Sequence, residues 1–124
     1  MANKITLASK FYKHLKEFMK DLIHVFPDDR EIKIISSSIN IASMDDEDYE
    51  LIYGFYNALK SLDEYIINRN DDLFIQDPSL YWPDGSNQYQ LFSKLNIYWE
   101  SLNDTNRKIV WDYIQVIYSI SKQF

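Results

Sequence analysis

Helix breakers are nearly absent from this chain of 124 residues: glycine occurs only at Gly54 and Gly85, and proline only at Pro27, Pro78 and Pro83. A backbone with so few points of easy reversal reads as long helices joined at a few fixed places. The pattern is plainest in LFSKLNIYWESLNDTNRKIVWDYIQVIYSISKQF, residues 91–124. Phe92, Leu95 and Trp99 share one helical face, with Leu91 and Tyr98 beside it. After a polar turn, Ile109, Val110, Tyr113, Ile114, Ile117 and Ile120 make a second stripe, and Trp111 and Tyr118 widen it. Asn103 has the character of an N-cap, with Asp104 in the first turn behind it. The expectation is a closing hairpin, Gln88 to Ser101 and then Asn103 to Lys122. Its second helix is apolar over most of its circumference and belongs at the centre of a bundle, with Trp99 and Trp111 as core anchors.

The rest of the chain follows the same rule. Phe11, Leu15, Phe18, Leu22 and Val25 mark a first helix from Leu7 to Phe26, ended by Pro27. Asp28 stands three residues before Glu31, the spacing of a capping box, and predicts a second helix to Ala42 that buries Ile32, Ile35 and Ile39. The β-branched run Lys33 to Ile41 leaves a strand as the alternative there. A third helix opens on Asp45-Asp46-Glu47-Asp48 and runs on Ile52, Phe55, Leu59, Leu62 and Ile66 to Asn68–Asn70, with Gly54 marking close packing or a kink. From Asp71 to Ser86 the helical pattern stops. Asp77-Pro78 and Trp82-Pro83-Asp84-Gly85 are turn signals, the second placing Pro83 at i+1. The fold class is therefore all-α: one domain over residues 1–124, a bundle of about five helices with one long aromatic-rich loop.

Composition narrows function by exclusion. With no cysteine, disulfides and thiolate metal sites are ruled out. No apolar run reaches the roughly 20 residues that span a bilayer, and the start, MANKITLASK, lacks the apolar stretch of a secretion signal. The expectation is a soluble protein of the cell interior, not secreted and not in a membrane. A net charge of −6 disfavours nucleic acid, because Lys10, Lys13, Lys16 and Lys20 are interleaved with Glu17 and Asp21 rather than gathered.

Catalytic chemistry finds no foothold. His14 and His24 lie nearly three helical turns apart and cannot share a metal. Asp45 to Asp48 with Glu50 lacks the alternation, central glycine and closing glutamate of a calcium loop, so a helix N-terminus accounts for it. Asp71, Asp72 and Asp77 fail the same test. Two isolated glycines make no phosphate-binding loop, and no Gly-x-Ser-x-Gly elbow is present. The expectation is a protein that is not an enzyme and has no cofactor or metal. What remains is surface. Aromatic residues make up 16% of the chain and ten of them are tyrosines, a residue that favours interfaces. Tyr49, Tyr53 and Tyr56 form a stripe at i, i+4, i+7, either core or a partner-binding face. Phe74, Tyr81 and Trp82 make the 71–86 loop either a flap folded onto the bundle or a second binding element.

Three stretches carry a family likeness: FYKHLKEFMKDLIHVFPDD at 11–29, SLDEYIINRNDDLF at 61–74 and LNIYWESLNDTNRKIVWDYIQVIYSISKQ at 95–123. Together they resemble uncharacterised small helical proteins of nucleocytoplasmic large DNA viruses, the giant-virus group. The matching motifs are the first helix ending in Phe26-Pro27-Asp28-Asp29, the pair Asn70 and Asp72 before Phe74, the turn Trp99-Glu100-Ser101-Leu102 and the run Ile109 to Ile114. This chain departs from the pattern by inserting Val110 between Ile109 and Trp111, by carrying Ile114 in place of Leu, and by having Leu73-Phe74 where paired phenylalanines are usual. The resemblance implies a viral protein of virion or host cytoplasm, acting through protein–protein contacts. Its leading form is a small virion or minor capsid component, with viral structural proteins or a second copy of itself as partners. The alternative is an adaptor that binds a host or viral regulator.

Overall fold

The computed structural model describes residues 3–44, 46 and 49–124. It is all-α, with no strand among the described residues. The two long helices, α1 (Lys4–Val25) and α7 (Asp104–Gln123), pack against each other. Helix α2 (Arg30–Met44) closes on α1 and on α6 (Asn87–Tyr98), while α3 (Glu50–Leu59) lies along α7. Between α3 and α6 the chain forms two short pieces, α4 (Asp63–Ile67) and α5 (Asp72–Ile75).

Long helices here start on side chains that take up N–H groups the helix leaves unpaired. Asn3 Oδ1 accepts from Thr6 N at 2.8 Å, which starts α1 three residues before the expected Leu7. Ser86 caps α6 through Tyr89 N at 3.0 Å, and Asn103 caps α7 through Asn106 N at 2.8 Å, as its place in the sequence predicts. For α2 the capping side chain is Asp29 rather than Asp28. Its Oδ1 accepts from Glu31 N at 2.9 Å and Ile32 N at 3.2 Å, because the turn after Pro27 consumes one residue more than the capping-box spacing allows. Residues 33–41 are helix and not strand. Ile32, Ile35 and Ile39 reach the core only at helical spacing, and that burial overrides the β-branched preference.

The middle helix is shorter than its periodicity suggests. Asp45, Glu47 and Asp48 of the expected acidic start lie outside the described residues. Tyr49 sits in the left-handed region, φ 54°, immediately before Glu50 opens α3. The helix tightens to a 3-10 turn at Lys60–Leu62 before resuming as α4. It ends at a residue no glycine rule would find. Arg69 adopts φ 50°, its N–H reaches Ile66 O at 3.3 Å, and Asn70 N reaches Tyr65 O at 2.8 Å. This is the paired bonding of a left-handed helix stop, usually made by glycine. Arg69 tolerates it because its guanidinium is held by Asp112 at 2.5 Å and by Gln115 at 2.7 Å, both on α7.

The 71–86 segment is not a bare loop. It folds back on the bundle through α5 and a 3-10 turn at Pro78–Leu80 capped by Asp77. Its later turn is shifted by one residue from expectation: Ser86 N bonds to Pro83 O, so Pro83 stands at i and Gly85, φ 80°, at i+2. The positive φ demanded at i+2 of a type II turn chose the register, and only Gly85 meets it without strain. Asn96 of α6 then pins the segment, its amide donating to Phe74 O at 2.9 Å and Ile75 O at 2.8 Å. At Gly54 the backbone is approached closely: a Cβ there would stand 3.0 Å from Gln88 Nε2.

The core is one continuous cluster in which aromatic rings set the geometry. Phe74 stacks on Trp99 at 4.3 Å and meets Trp111 edge-on at 4.7 Å, so α5, the end of α6 and α7 share one joint. Phe74→Ala is expected to destabilise the fold by about 3–5 kcal/mol, since it leaves a cavity between rigid rings. Urea unfolding checks this, and a loss below about 1 kcal/mol would mean the segment does not depend on this joint.

Candidate functional site

The six residues singled out as surface candidates fall into two groups. Phe74 and Trp82 are core side chains, 1% and 3% exposed. Trp82 packs on Phe92 at 4.9 Å and on Phe55 at 5.3 Å, so it fastens the segment instead of projecting from it. Tyr81 is half-buried, and its hydroxyl donates to Leu73 O at 2.7 Å. The outward apolar side chains of this segment are Ile75 and Leu80.

The tyrosine stripe of α3 turns toward α7. Tyr49 and Tyr53 meet the ring of Phe124 edge-on at 4.8 and 5.3 Å, and Tyr56 stacks on Tyr118 at 6.3 Å. Tyr49 and Tyr56 are half-buried by these contacts. Tyr53 keeps the most open face, 37% exposed, with its hydroxyl accepting from Lys4 Nζ at 2.8 Å.

The tyrosine surplus has an internal use that spacing could not show. Tyr12 donates to Asp46, Tyr98 to Asp29, Tyr113 to Asp21 at 2.5 Å and Tyr118 to Asp63 at 2.7 Å. In each case a ring lies on the core and its hydroxyl ties a carboxylate on another part of the chain. The indole of Trp111 does the same to Asp71 at 3.0 Å. Asp29 is the busiest of these acids. It caps α2, accepts from Tyr98, and pairs with Lys94 of α6 at 3.0 Å, while Phe26 stacks on the Tyr98 ring at 4.0 Å. Burial pushes the Asp29 carboxyl up, but the Tyr98 hydroxyl, the Lys94 ammonium and the Ile32 N–H outweigh it and bring it down from 3.8 to about 2. The tyrosines move the other way. Burial, reinforced by Asp21, lifts Tyr113 to about 12, and burial first with an aspartate second raises Tyr12 and Tyr118 further.

The apolar surface left over lies elsewhere. On α2, Ile34, Ile41 and Met44 are 61%, 69% and 80% exposed, and Ile97 of the adjoining α6 is 65% exposed. A shallow groove between α2 and α6 runs past Ile34, Ser93 and Ile97. A second groove, of about 260 Å³, separates the end of α1 from the start of α7 and is lined mainly by Phe18, Leu22, Val25, Leu102 and Ile109. Sequence reasoning missed the α2 face because it followed the tyrosines. The signal was present, since Ile34 and Ile41 stand one heptad apart on the side opposite Ile32, Ile35 and Ile39. Among the described residues no group of three or more His, Asp or Glu side chains is gathered as a metal ion requires. No described helix is long and apolar enough to cross a membrane. In comparison with protein-family models, curated proteins and solved structures, no match to this chain is found.

Two pH effects follow from the tethers. Asp29 is depressed in the folded state, so its contribution is present above its unfolded value near 3.8 and is lost as pH falls toward 2. Asp29→Ala is expected to cost about 2 kcal/mol at neutral pH, through the lost cap and the lost acceptor of Tyr98, while Lys94 keeps Glu31 at 3.2 Å, and to flatten the acid limb of a stability–pH curve. An unchanged acid limb would remove Asp29 from the account. At the other end, tyrosines raised in the folded state contribute fully below their unfolded value of 10.0 and lose that contribution as pH climbs through about 12 for Tyr113. Tyrosinate absorbance is expected to rise in two phases, the later one coinciding with loss of helical circular dichroism. A single phase at the ordinary value would contradict the tethers.

Proposed function

We propose that this chain is a non-enzymatic protein that acts through protein–protein contacts, most specifically a small structural component of a virion. The observation that carries the contact reading is the outer face of α2. Three large apolar side chains, Ile34, Ile41 and Met44, stand in water on one helix, and Ile97 extends the same surface onto α6. Large apolar side chains gathered on the outer face of one helix, whose inner face already fills the core, are the kind of surface that marks an interaction site. The tyrosines support the reading indirectly. The hydroxyls of Tyr12, Tyr98, Tyr113 and Tyr118 are engaged within the fold, whereas Ile34 and Ile41 have no such internal use.

The viral setting rests on the likeness of residues 11–29, 61–74 and 95–123 to small helical proteins of large DNA viruses. Those stretches are mainly packing sequence, which speaks to relatedness and to architecture. The chain is expected to co-purify with particles through density-gradient centrifugation and to be detected in them by mass spectrometry at a fixed ratio to the major capsid protein. Absence from washed particles, with recovery in the soluble fraction of infected cells, would replace the virion reading with that of an adaptor for a host or viral regulator.

A further inference from the structure

Helix α2 is amphipathic on two sides. Ile32, Ile35 and Ile39 fill the core. Opposite them stand Arg30, Ile34, Ser37, Ile41 and Met44, all exposed and separated by steps of four, three, four and three residues. That alternation keeps side chains on one seam of a helix that pairs with another helix. A single-layer surface helix needs only the inner stripe, so the outer seam calls for a second partner.

We propose that the outer seam of α2 pairs antiparallel with the same helix of a second copy, about a two-fold axis passing between Ser37 and Ser38. This deepens the protein-contact reading and rests on it. At its centre the seam is self-complementary under that symmetry, as an interface between identical surfaces has to be. Ile34 of each copy comes opposite Ile41 of the other, and the axis falls on small serines that let two backbones approach.

Charge selects the antiparallel arrangement. The N-terminal end of the seam carries Arg30 and Lys33, and among the described residues neither takes part in an ion pair, whereas Glu31 between them is paired with Lys94 at 3.2 Å on the flank toward α6. Past the C-terminal end stand Asp46 and Glu50, which line a shallow groove with Ile41. Antiparallel pairing sets each basic end against the acidic end of the other copy, whereas parallel pairing would set like against like. Antiparallel helix dipoles add to the same preference. The grooves beside α2 provide further room: Ile41 of one copy, once opposite Ile34, also lies over the groove that leads to Ile97. A helix of 15 residues is only ~22 Å long, so the contact is a modest, reversible one that needs those flanks as well as the seam.

The purified chain examined by sedimentation velocity and light scattering over a concentration series is expected to show a reversible dimer. The double variant I34E/I41E is expected to weaken it at least ~100-fold, since four apolar side chains leave the interface. Its circular dichroism is expected to stay as in the wild type, and its thermal midpoint to match that of the wild type at concentrations where the wild type is monomeric, because both positions face solvent. The absence of cysteine permits a positional test: mild oxidation of Ser37→Cys is expected to give a disulfide-linked dimer, and Ser119→Cys, exposed on α7, is not. Three outcomes would overturn the proposal: a wild type monomeric at every concentration, a dimer that survives I34E/I41E, or equal cross-linking at Ser37→Cys and Ser119→Cys. A monomeric wild type leaves the virion reading to be decided separately by particle association.

Discussion

The joint formed by Phe74, Trp99 and Trp111 is the contact on which the rest of the arrangement depends. Trp99 stands where α6 ends, Trp111 lies one third of the way along α7, and the two rings meet edge-on at 6.3 Å. Helices joined by so short a turn would otherwise pack along a single seam. Phe74, arriving from a different part of the chain, stacks on one ring and abuts the other, fixing the angle between them. The segment carrying Phe74 is then held by the Asn96 side-chain amide, which donates to its backbone carbonyls, and its other end by Trp82 against Phe55 and Phe92. Rings are stiff and large, so a few of them specify geometry that many aliphatic contacts would leave loose.

Around that joint, one recurring set of polar contacts is long-range and asymmetric: a ring lies on the core and its polar tip fixes an acid. Tyr12, Tyr98, Tyr113, Tyr118 and Trp111 all work this way, each reaching an aspartate distant in sequence. A fold with few glycines and prolines has little turn chemistry to set its chain reversals. Side chains carry that task instead, as Asp29 does after Pro27 and Arg69 does at the end of α4. The placement of Arg69 in the left-handed region shows the trade. Strain of about 1 kcal/mol is offset by bonds to α7 that glycine could not make.

Where periodicity over many residues carries the signal, the sequence is legible. The stripes of α1 and α7 and the cap at Asn103 are plain, and so is the burial of Trp99 and Trp111, because each follows from local spacing alone. The strand alternative for 33–41 stayed open in sequence because β-branched composition and helical spacing conflict there; burial of Ile32, Ile35 and Ile39 resolves it. The one-residue shifts at Asp29 and Gly85 depend on how many residues a turn consumes, which spacing does not encode. The surface was hardest to read. Tyr49, Tyr53, Tyr56, Phe74, Tyr81 and Trp82 look alike in sequence, yet Phe74 and Trp82 are core, Tyr49 and Tyr56 are covered by α7, and Tyr53 stays partly open.

The sequence by itself determined that this chain is all-α, where its long helices lie and which of their faces turn inward. Those properties follow from breaker content and from the 3.6-residue period, both local. Only the tertiary structure decided what the tyrosines are for and which apolar surface is left unmatched. Each of those outcomes depends on contacts between residues dozens of positions apart: a hydroxyl finding its aspartate, or a second helix failing to cover Ile34 and Ile41. Local pattern says that a side chain is apolar or polar. Whether another part of the chain arrives to meet it is settled only when the helices pack.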